Sequence, residues 1–431
     1  MRESIIVLCF VLLTLGLAAQ DNDKTLNERG EIIKRGRNIG ALPVVGYNSD
    51  LGFQYGACVD IFNYGDGSKY PTYDFKTNLE MSFYTEGSSI LRTYSYWNNI
   101  IPKGRLFVDI GYFTNIKFDF YGYNGYASPY LKDMASGFYD MNRAQFRTIV
   151  SMRQQIGNVK NLYYGLGLGY YNYDCKRLNV KENEDLVTLY ELYCESGLIR
   201  ADEKGGGNVS QLKAGLIYDS KNYENDPTRG FYVEATFTAA PDLIDKNGYD
   251  HLMFTGVFHH YIPIFGEKLT FCYRLGAQNV IAGDIPFYAL TNTNLLFFNK
   301  TTTEAFGGST TGRGINTNRV VGQGIAWFNA ELRWRVVNFK FINQNWIVAL
   351  NPMFDAGTVT QAFRLEEQKT ASDLYNNLIY SGKDEGIHTS AGCGLKFIMN
   401  RNFVVSVEIA KAFDKLDGEG MKAYVGFNYI F

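Results

Sequence analysis

Long apolar runs are missing from most of this chain. Beyond Leu17 no stretch approaches the roughly 20 residues a membrane-spanning helix needs, so no helix is expected to hold the protein in a bilayer. Histidine is scarce: His251, His259, His260 and His388 are all there are. His259 and His260 are adjacent and so point to opposite faces, no serine pairs with an oriented base, and no metal-ligand spacing occurs. Gly165-Leu-Gly-Leu-Gly169 is alternation within a strand and not a phosphate loop. An enzyme, a metal and a cofactor are therefore not expected. Neither sign of charge dominates, with a formal net charge of -2, so nothing electrostatic points to nucleic acid. Cysteine is sparse and irregular. Apart from Cys9 there are Cys58, Cys175, Cys194, Cys272 and Cys393, an odd and scattered set that makes no disulfide framework. Cys58, Cys272 and Cys393 fall in strand-like runs as small packing residues. Cys175 and Cys194 share one polar segment, and both a bridge and two free thiols stay open.

What the chain has in quantity is aromatic residues, 32 Tyr and 31 Phe, with 44 Gly against 9 Pro. Met1 to Ala19 reads as a secretory signal: Arg2, an apolar run from Ile5 to Leu17, then small residues before Gln20. Residues 20–39 are charged and without periodicity, too short for a folded domain, and are expected in the periplasm. From residue 40 to 431 the sequence breaks into runs of period two. Phe75, Thr77, Leu79, Met81 and Phe83 share one face, and Lys76, Asn78, Glu80 and Ser82 the other. Leu269, Phe271, Tyr273, Leu275 and Ala277 oppose Lys268, Thr270, Arg274 and Gln278; Phe403, Val405, Val407 and Ile409 oppose Ser406 and Glu408.

Soluble sandwich strands run about five or six residues, whereas these runs match the roughly 9–11 of a tilted transmembrane strand. Sixteen are expected, starting near residues 40, 51, 71, 88, 103, 139, 160, 208, 229, 249, 267, 323, 343, 387, 402 and 420. Long connections (118–138, 175–206, 281–322, 359–386) follow odd strands and short ones follow even strands, as in an outer-membrane barrel. The expected fold is all-β: a closed, sixteen-stranded antiparallel transmembrane barrel, closed because an open edge would leave backbone groups unpaired in hydrocarbon. The last run carries Val425, Phe427, Tyr429 and Phe431 on one face, and Phe427, Tyr429 and Phe431 have the form of a C-terminal assembly signal.

Three stretches stand out. Phe306-Gly-Gly-Ser-Thr-Thr-Gly-Arg-Gly-Ile315 places Arg313 between Gly312 and Gly314 in the long 281–322 segment. There its guanidinium is free to meet a carboxylate. Alternation puts Asn329, Glu331, Arg333 and Arg335 on one polar wall, with Asn351 and Asp355 on the next strand. Third, the first run contains Gly40, Pro43 and Gly46 and the last contains Gly426, so their mutual pairing should be weak.

On these residues the chain resembles the BamA/TamA-like outer-membrane assembly superfamily, also called the bacterial surface antigen family. Gly307, Gly308, Arg313 and Gly314 are similar to the motif of that family's sixth extracellular loop, which folds into the lumen. Phe354, Asp355 and Gly357 are similar to its Phe-x-Asp-x-Gly strand-thirteen pattern. Tyr218 to Gly230, with Pro227, Arg229 and Gly230, looks like its short turn before a strand. The resemblance implies that Asp355 meets Arg313, and the polar wall offers Glu331 as the second candidate. Two departures stand out: Gly312 where the family has a branched apolar residue, and Ile315 where it has an aromatic one. The periplasmic POTRA domains usual in the family have no room between Gln20 and the first strand, so a barrel-only member is expected.

The resemblance implies a bacterial outer-membrane location and help in inserting outer-membrane proteins or handling lipid through a first/last-strand seam. Implied partners are outer-membrane lipid, unfolded outer-membrane protein clients, and periplasmic or lipoprotein partners. The alternative is a passive or gated channel, or a structural barrel, without assembly activity.

Overall fold

The computed structural model describes residues 25–27, 30–48, 52–98, 100–178, 186–297, 305–372, 375, 377–427 and 429–431. The leader read at residues 1–19 lies outside them. Sixteen strands follow one another in chain order around one sheet, every neighbour pair antiparallel. They are β1 (Arg37–Asn48), β2 (Gly52–Asn63), β3 (Phe75–Tyr84), β4 (Ser89–Asn98), β5 (Gly104–Asp119) and β6 (Asp140–Gln155). Next come β7 (Leu162–Arg177), β8 (Gly206–Asp219), β9 (Gly230–Ala240), β10 (His251–Phe265) and β11 (Leu269–Gly283). Last are β12 (Gly324–Phe341), β13 (Gln344–Gln361), β14 (His388–Met399), β15 (Phe403–Ala412) and β16 (Lys422–Phe427).

Alternation decides the two faces. On β12, Asn329, Glu331 and Arg333 are buried while Trp334 is exposed; on β3, Leu79 and Met81 are exposed while Lys76, Asn78 and Ser82 are buried. An exposed apolar stripe suits lipid, and the polar stripe lines the lumen. Residue chemistry sets the short-turn end too. The β12–β13 hairpin turns on Ile342 and Asn343, both at positive φ, the geometry of a tight two-residue hairpin.

The sheet curls until its ends approach each other. Asn402, in the β14–β15 turn, donates to the Tyr64 hydroxyl at 3.1 Å and to the Pro71 carbonyl at 2.7 Å, both in the β2–β3 connection. Residues of the 30–36 segment lie across the same mouth. The Ile32 N–H donates to Asn345 Oδ1 at 2.8 Å, and Arg401 pairs with Glu31 at 2.7 Å.

Closure differs from the expectation. Among the described residues no ladder joins β16 to β1. β16 pairs with β15 over six residues, Lys422–Phe427, and the described residues beyond it are not in the sheet. Tyr429, Ile430 and Phe431 turn into the lumen, where each is at most 3% exposed.

The long connections fold inward and fill the barrel from the other end. Gln368, on α2 (Leu365–Ser372), donates to the Ile379 carbonyl at 2.8 Å and to Ser128 Oγ at 2.9 Å, and accepts from Asn124 at 2.8 Å. One side chain thus ties the connection before β6 to the one before β14. Tyr193, on α1 (Leu189–Glu195), packs edge-on to Phe120 and Tyr123 with ring centroids 5.1 Å away. Cys175 and Cys194 are both free thiols.

Candidate functional site

The described parts of the β11–β12 connection lie in the lumen, and two of the contacts that hold them there engage carboxylates of the wall. At the first, Glu234 on β9 accepts the Leu296 N–H at 2.5 Å and the Phe297 N–H at 3.4 Å. At the second, Arg313 is fully buried and spends its whole fork on carboxylates. Its Nε and Nη2 donate to Asp355 at 2.9 Å each, and its backbone N–H donates to the same carboxylate at 2.9 Å. Nη1 donates to Glu331 at 2.6 Å and to Glu408 at 2.8 Å. One guanidinium therefore joins β12, β13 and β15. Planarity makes this possible: a lysine ammonium cannot fork onto one carboxylate and still reach two others.

The carboxylates are themselves held. Asn329 donates to Asp355 at 2.8 Å, Arg333 to Glu331 at 2.8 Å, and Lys396 to Glu408 at 2.6 Å. Such support is what lets buried charges stay charged, since unsatisfied ones are costly.

Glycine sets the fit of the loop tip. Gly314 (φ +91°) lies so close to the Lys411 backbone that a Cβ would come within 2.7 Å of it, and its N–H donates to the Tyr424 hydroxyl at 2.9 Å. Gly307 (φ +122°) and Gly308 (φ +86°) open the turn that returns the chain. Gly357 serves from the wall. A Cβ there would stand 2.6 Å from the fully buried Phe306 ring. Phe354 is not at the site: it is 36% exposed on the lipid side, near Phe328.

Two contacts of this cluster were not expected from the sequence. Glu408 was legible as inward-facing, because it opposes the Val405, Val407 and Ile409 stripe, but nothing in the spacing linked it to Arg313. Phe306 carried no signal for a ring resting on Gly357.

The C-terminal residues require a correction. Tyr429 and Phe431 do not continue the outer stripe of β16. The Arg333 guanidinium stacks 3.7 Å from the Tyr429 ring and donates to the Phe431 carbonyl at 2.8 Å. Arg274 donates to the Ile430 carbonyl at 2.9 Å and also to Thr310 of the loop tip at 3.3 Å. Two lumen arginines, unsatisfied by carboxylates alone, draw the tail inward by charge, ring contact and backbone acceptors together.

At the seam, Pro43 lies within β1 and faces outward, and Gly46 stands opposite Gln54. Gly40 lines a cavity of about 50 Å³ with Asn38, Asp60 and Asn402. Gly426 stands opposite Ser406. A proline inside a strand is confined to sheet edges, and among the described residues β1 is an edge. Of the histidines, His388 lies buried between Asp417 and Glu385, and His259 lies near Phe431. Among the described residues no cluster of three metal-ligating side chains forms.

A curled sixteen-stranded sheet with an apolar exterior, a charged lumen and an inward-folded loop defines an outer-membrane β-barrel. The Omp85 superfamily domain matches residues 75–429, and the chain belongs to that superfamily. It is accordingly a protein of the bacterial outer membrane. Among solved structures it is similar to BamA from Haemophilus ducreyi lacking POTRA domains 1–3, at 18% identity and a TM-score of 0.53. That alignment covers 92% of this chain and 70% of the other. It is also similar to CdiB from Escherichia coli, at 10% identity and a TM-score of 0.55, covering 91% of this chain and 62% of that one. No curated protein matches the chain.

Proposed function

We propose that this barrel assists the insertion of outer-membrane proteins, or the handling of lipid, through a seam between β1 and β16. The observation that carries the reading is the six-residue β15–β16 ladder on a β16 that, among the described residues, has no ladder to β1. An unpaired strand edge is a template for a second strand, and its groups need partners wherever lipid replaces water. A client strand or an opened seam would meet that need. Its partners on this reading are unfolded outer-membrane proteins and outer-membrane lipid, with periplasmic or lipoprotein factors acting at the short-turn mouth beside residues 30–36. The mechanism involves no catalysis. The alternative, a steadily conducting channel, is disfavoured by a loop whose described parts lie in the lumen and are pinned at both Glu234 and Arg313.

The test is a locked seam. Outward positions Ala41 or Pro43 on β1 and Ala423 or Val425 on β16 are replaced by cysteine in several pairings, with the exposed Cys393 changed to serine. Reconstituted assembly of an outer-membrane barrel client should stop on oxidation and return on reduction. Full assembly through a verified crosslink would remove lateral opening from the mechanism.

A further inference from the structure

Four connections meet around one histidine at the long-connection end. His388, fully buried, opens β14. Its Nδ1 lies 2.5 Å from Asp417 Oδ1 in the β15–β16 connection, and its Nε2 lies 3.2 Å from Glu385 Oε1 in the β13–β14 connection. The Tyr126 ring, from the β5–β6 connection, stacks on the imidazole with centroids 3.9 Å apart. Its hydroxyl donates to Asp417 Oδ2 at 2.9 Å. The β11–β12 connection reaches the same place. There the Asn316 N–H donates to the Asp417 carbonyl at 2.7 Å, and Arg319 donates to the Gly125 and Leu416 carbonyls at 2.8 Å each.

Both ring nitrogens face carboxylate oxygens, which accept and do not donate when ionised. A neutral imidazole carries one N–H, so its other nitrogen would set a lone pair against the second carboxylate. Both contacts are hydrogen bonds only in the imidazolium form. Glu385 is held as an anion from its other side as well, because the Tyr126 and Val359 N–H groups donate to it at 2.8 and 2.9 Å. Burial would raise its carboxyl, but His388 and these two N–H groups keep it below the usual carboxylate range. The charged groups around the ring are thus Asp417, Glu385 and Arg319, beside the Tyr126 hydroxyl. Asp414 and Lys415 of the Asp417 turn, and Lys383 and Asp384 next to Glu385, are exposed to solvent. Imidazolium and guanidinium together match the two carboxylates. Loss of the ring proton leaves two carboxylates against Arg319 alone, and a buried charge without its partner is costly.

We propose that His388 is a pH-sensitive latch: as the imidazolium it ties the connections before β6, β12, β14 and β16 into one cap, and its deprotonation loosens them. The sign follows from the charge that the contacts require. The latch is complete where the ring is protonated and is lost as pH rises through its titration. Arg313 and its carboxylates take no part, so the loop tip stays pinned while the cap loosens. The inference does not depend on whether the seam opens.

The test uses the full chain in detergent micelles, scanned from about pH 5.5 to 9, a range that brackets imidazole titration. Tryptic cutting at the exposed Lys383 and Lys415 is normalised at each pH to an unstructured peptide carrying the same sites. Relative cutting should rise roughly tenfold from the acid to the alkaline end, the scale of one charge-assisted hydrogen bond. It should track the proton NMR titration of the His388 ring, assigned by its loss in His388→Gln. His388→Gln, whose amide cannot gain a proton in this range, should be cut at one relative rate throughout. Glu385→Gln, whose amide can donate to a neutral Nε2, should also flatten the slope, and it decides the matter if His388→Gln fails to fold. The proposal is overturned if cutting of the parent chain does not change with pH, or if either folded variant keeps the parent's slope.

Discussion

The β12–β13 ladder and the β15–β16 ladder belong to one sheet but are built differently. The first joins fifteen residue pairs and carries Glu331 and Asp355 under the loop arginine; the second joins six and ends where the tail leaves the sheet. Both contain apolar outer stripes of similar chemistry. The difference lies in what their lumen faces hold. Arg313 draws three strands together on one side, whereas Arg333 and Arg274 draw Tyr429 to Phe431 away from the sheet on the other. Lumen electrostatics thus strengthens one ladder and shortens the other. The weak edge is a consequence of the same charged interior that makes the plug secure.

The strongest way to break this contrast is Arg313→Ala. It takes away the guanidinium that Asp355, Glu331 and Glu408 share, while Asn329, Arg333 and Lys396 still donate to them. Removing one partner of such a network costs about 3–5 kcal/mol. Limited proteolysis should cut the freed loop, and bilayer recordings should show raised conductance, while heat-modifiable migration shows the barrel intact. Arg313→Lys should recover part of the protection. A double-mutant cycle with Asp355→Ala measures the coupling, and additive effects would mean the two side chains do not act as a pair.

A second change addresses the tail alone. Tyr429→Ala with Phe431→Ala removes ring contacts worth about 2 kcal/mol when desolvated. The tail should leave the lumen, and crosslinking between β1 and β16 cysteines should rise, with loop protection unchanged. Equal loss of loop protection would show that plug and tail are one cooperative unit, joined through Arg274.

The smallest expected effect sharpens the comparison at the plug. Gly357→Ala places a methyl group 2.6 Å from the Phe306 ring, an overpacking of about 1–3 kcal/mol. Thermal unfolding of the barrel should change little, and loop proteolysis should quicken modestly. Phe306→Leu in the same chain should restore protection by vacating that space.

Most of the architecture was legible because a barrel strand advertises both of its environments. Phe328, Ala330, Leu332 and Trp334 against Asn329, Glu331, Arg333 and Arg335 is a local pattern, and local pattern fixes which face meets lipid. The sixteen strands, their order and their loop asymmetry follow from repeating it. Glycine spacing around Arg313 likewise marked a tip able to approach other chain. Three things needed the tertiary structure. Glu408 joins the Arg313 cluster because β15 curls round to within reach of a loop 95 residues earlier in the chain, a distance no spacing encodes. Gly357 matters because a ring from that loop rests on it. Tyr429 and Phe431 obey the outward pattern in sequence and violate it in space, because alternation describes a residue only while its strand stays paired. Where two arginines across the lumen compete with six ladder pairs, the side chains decide where the strand stops.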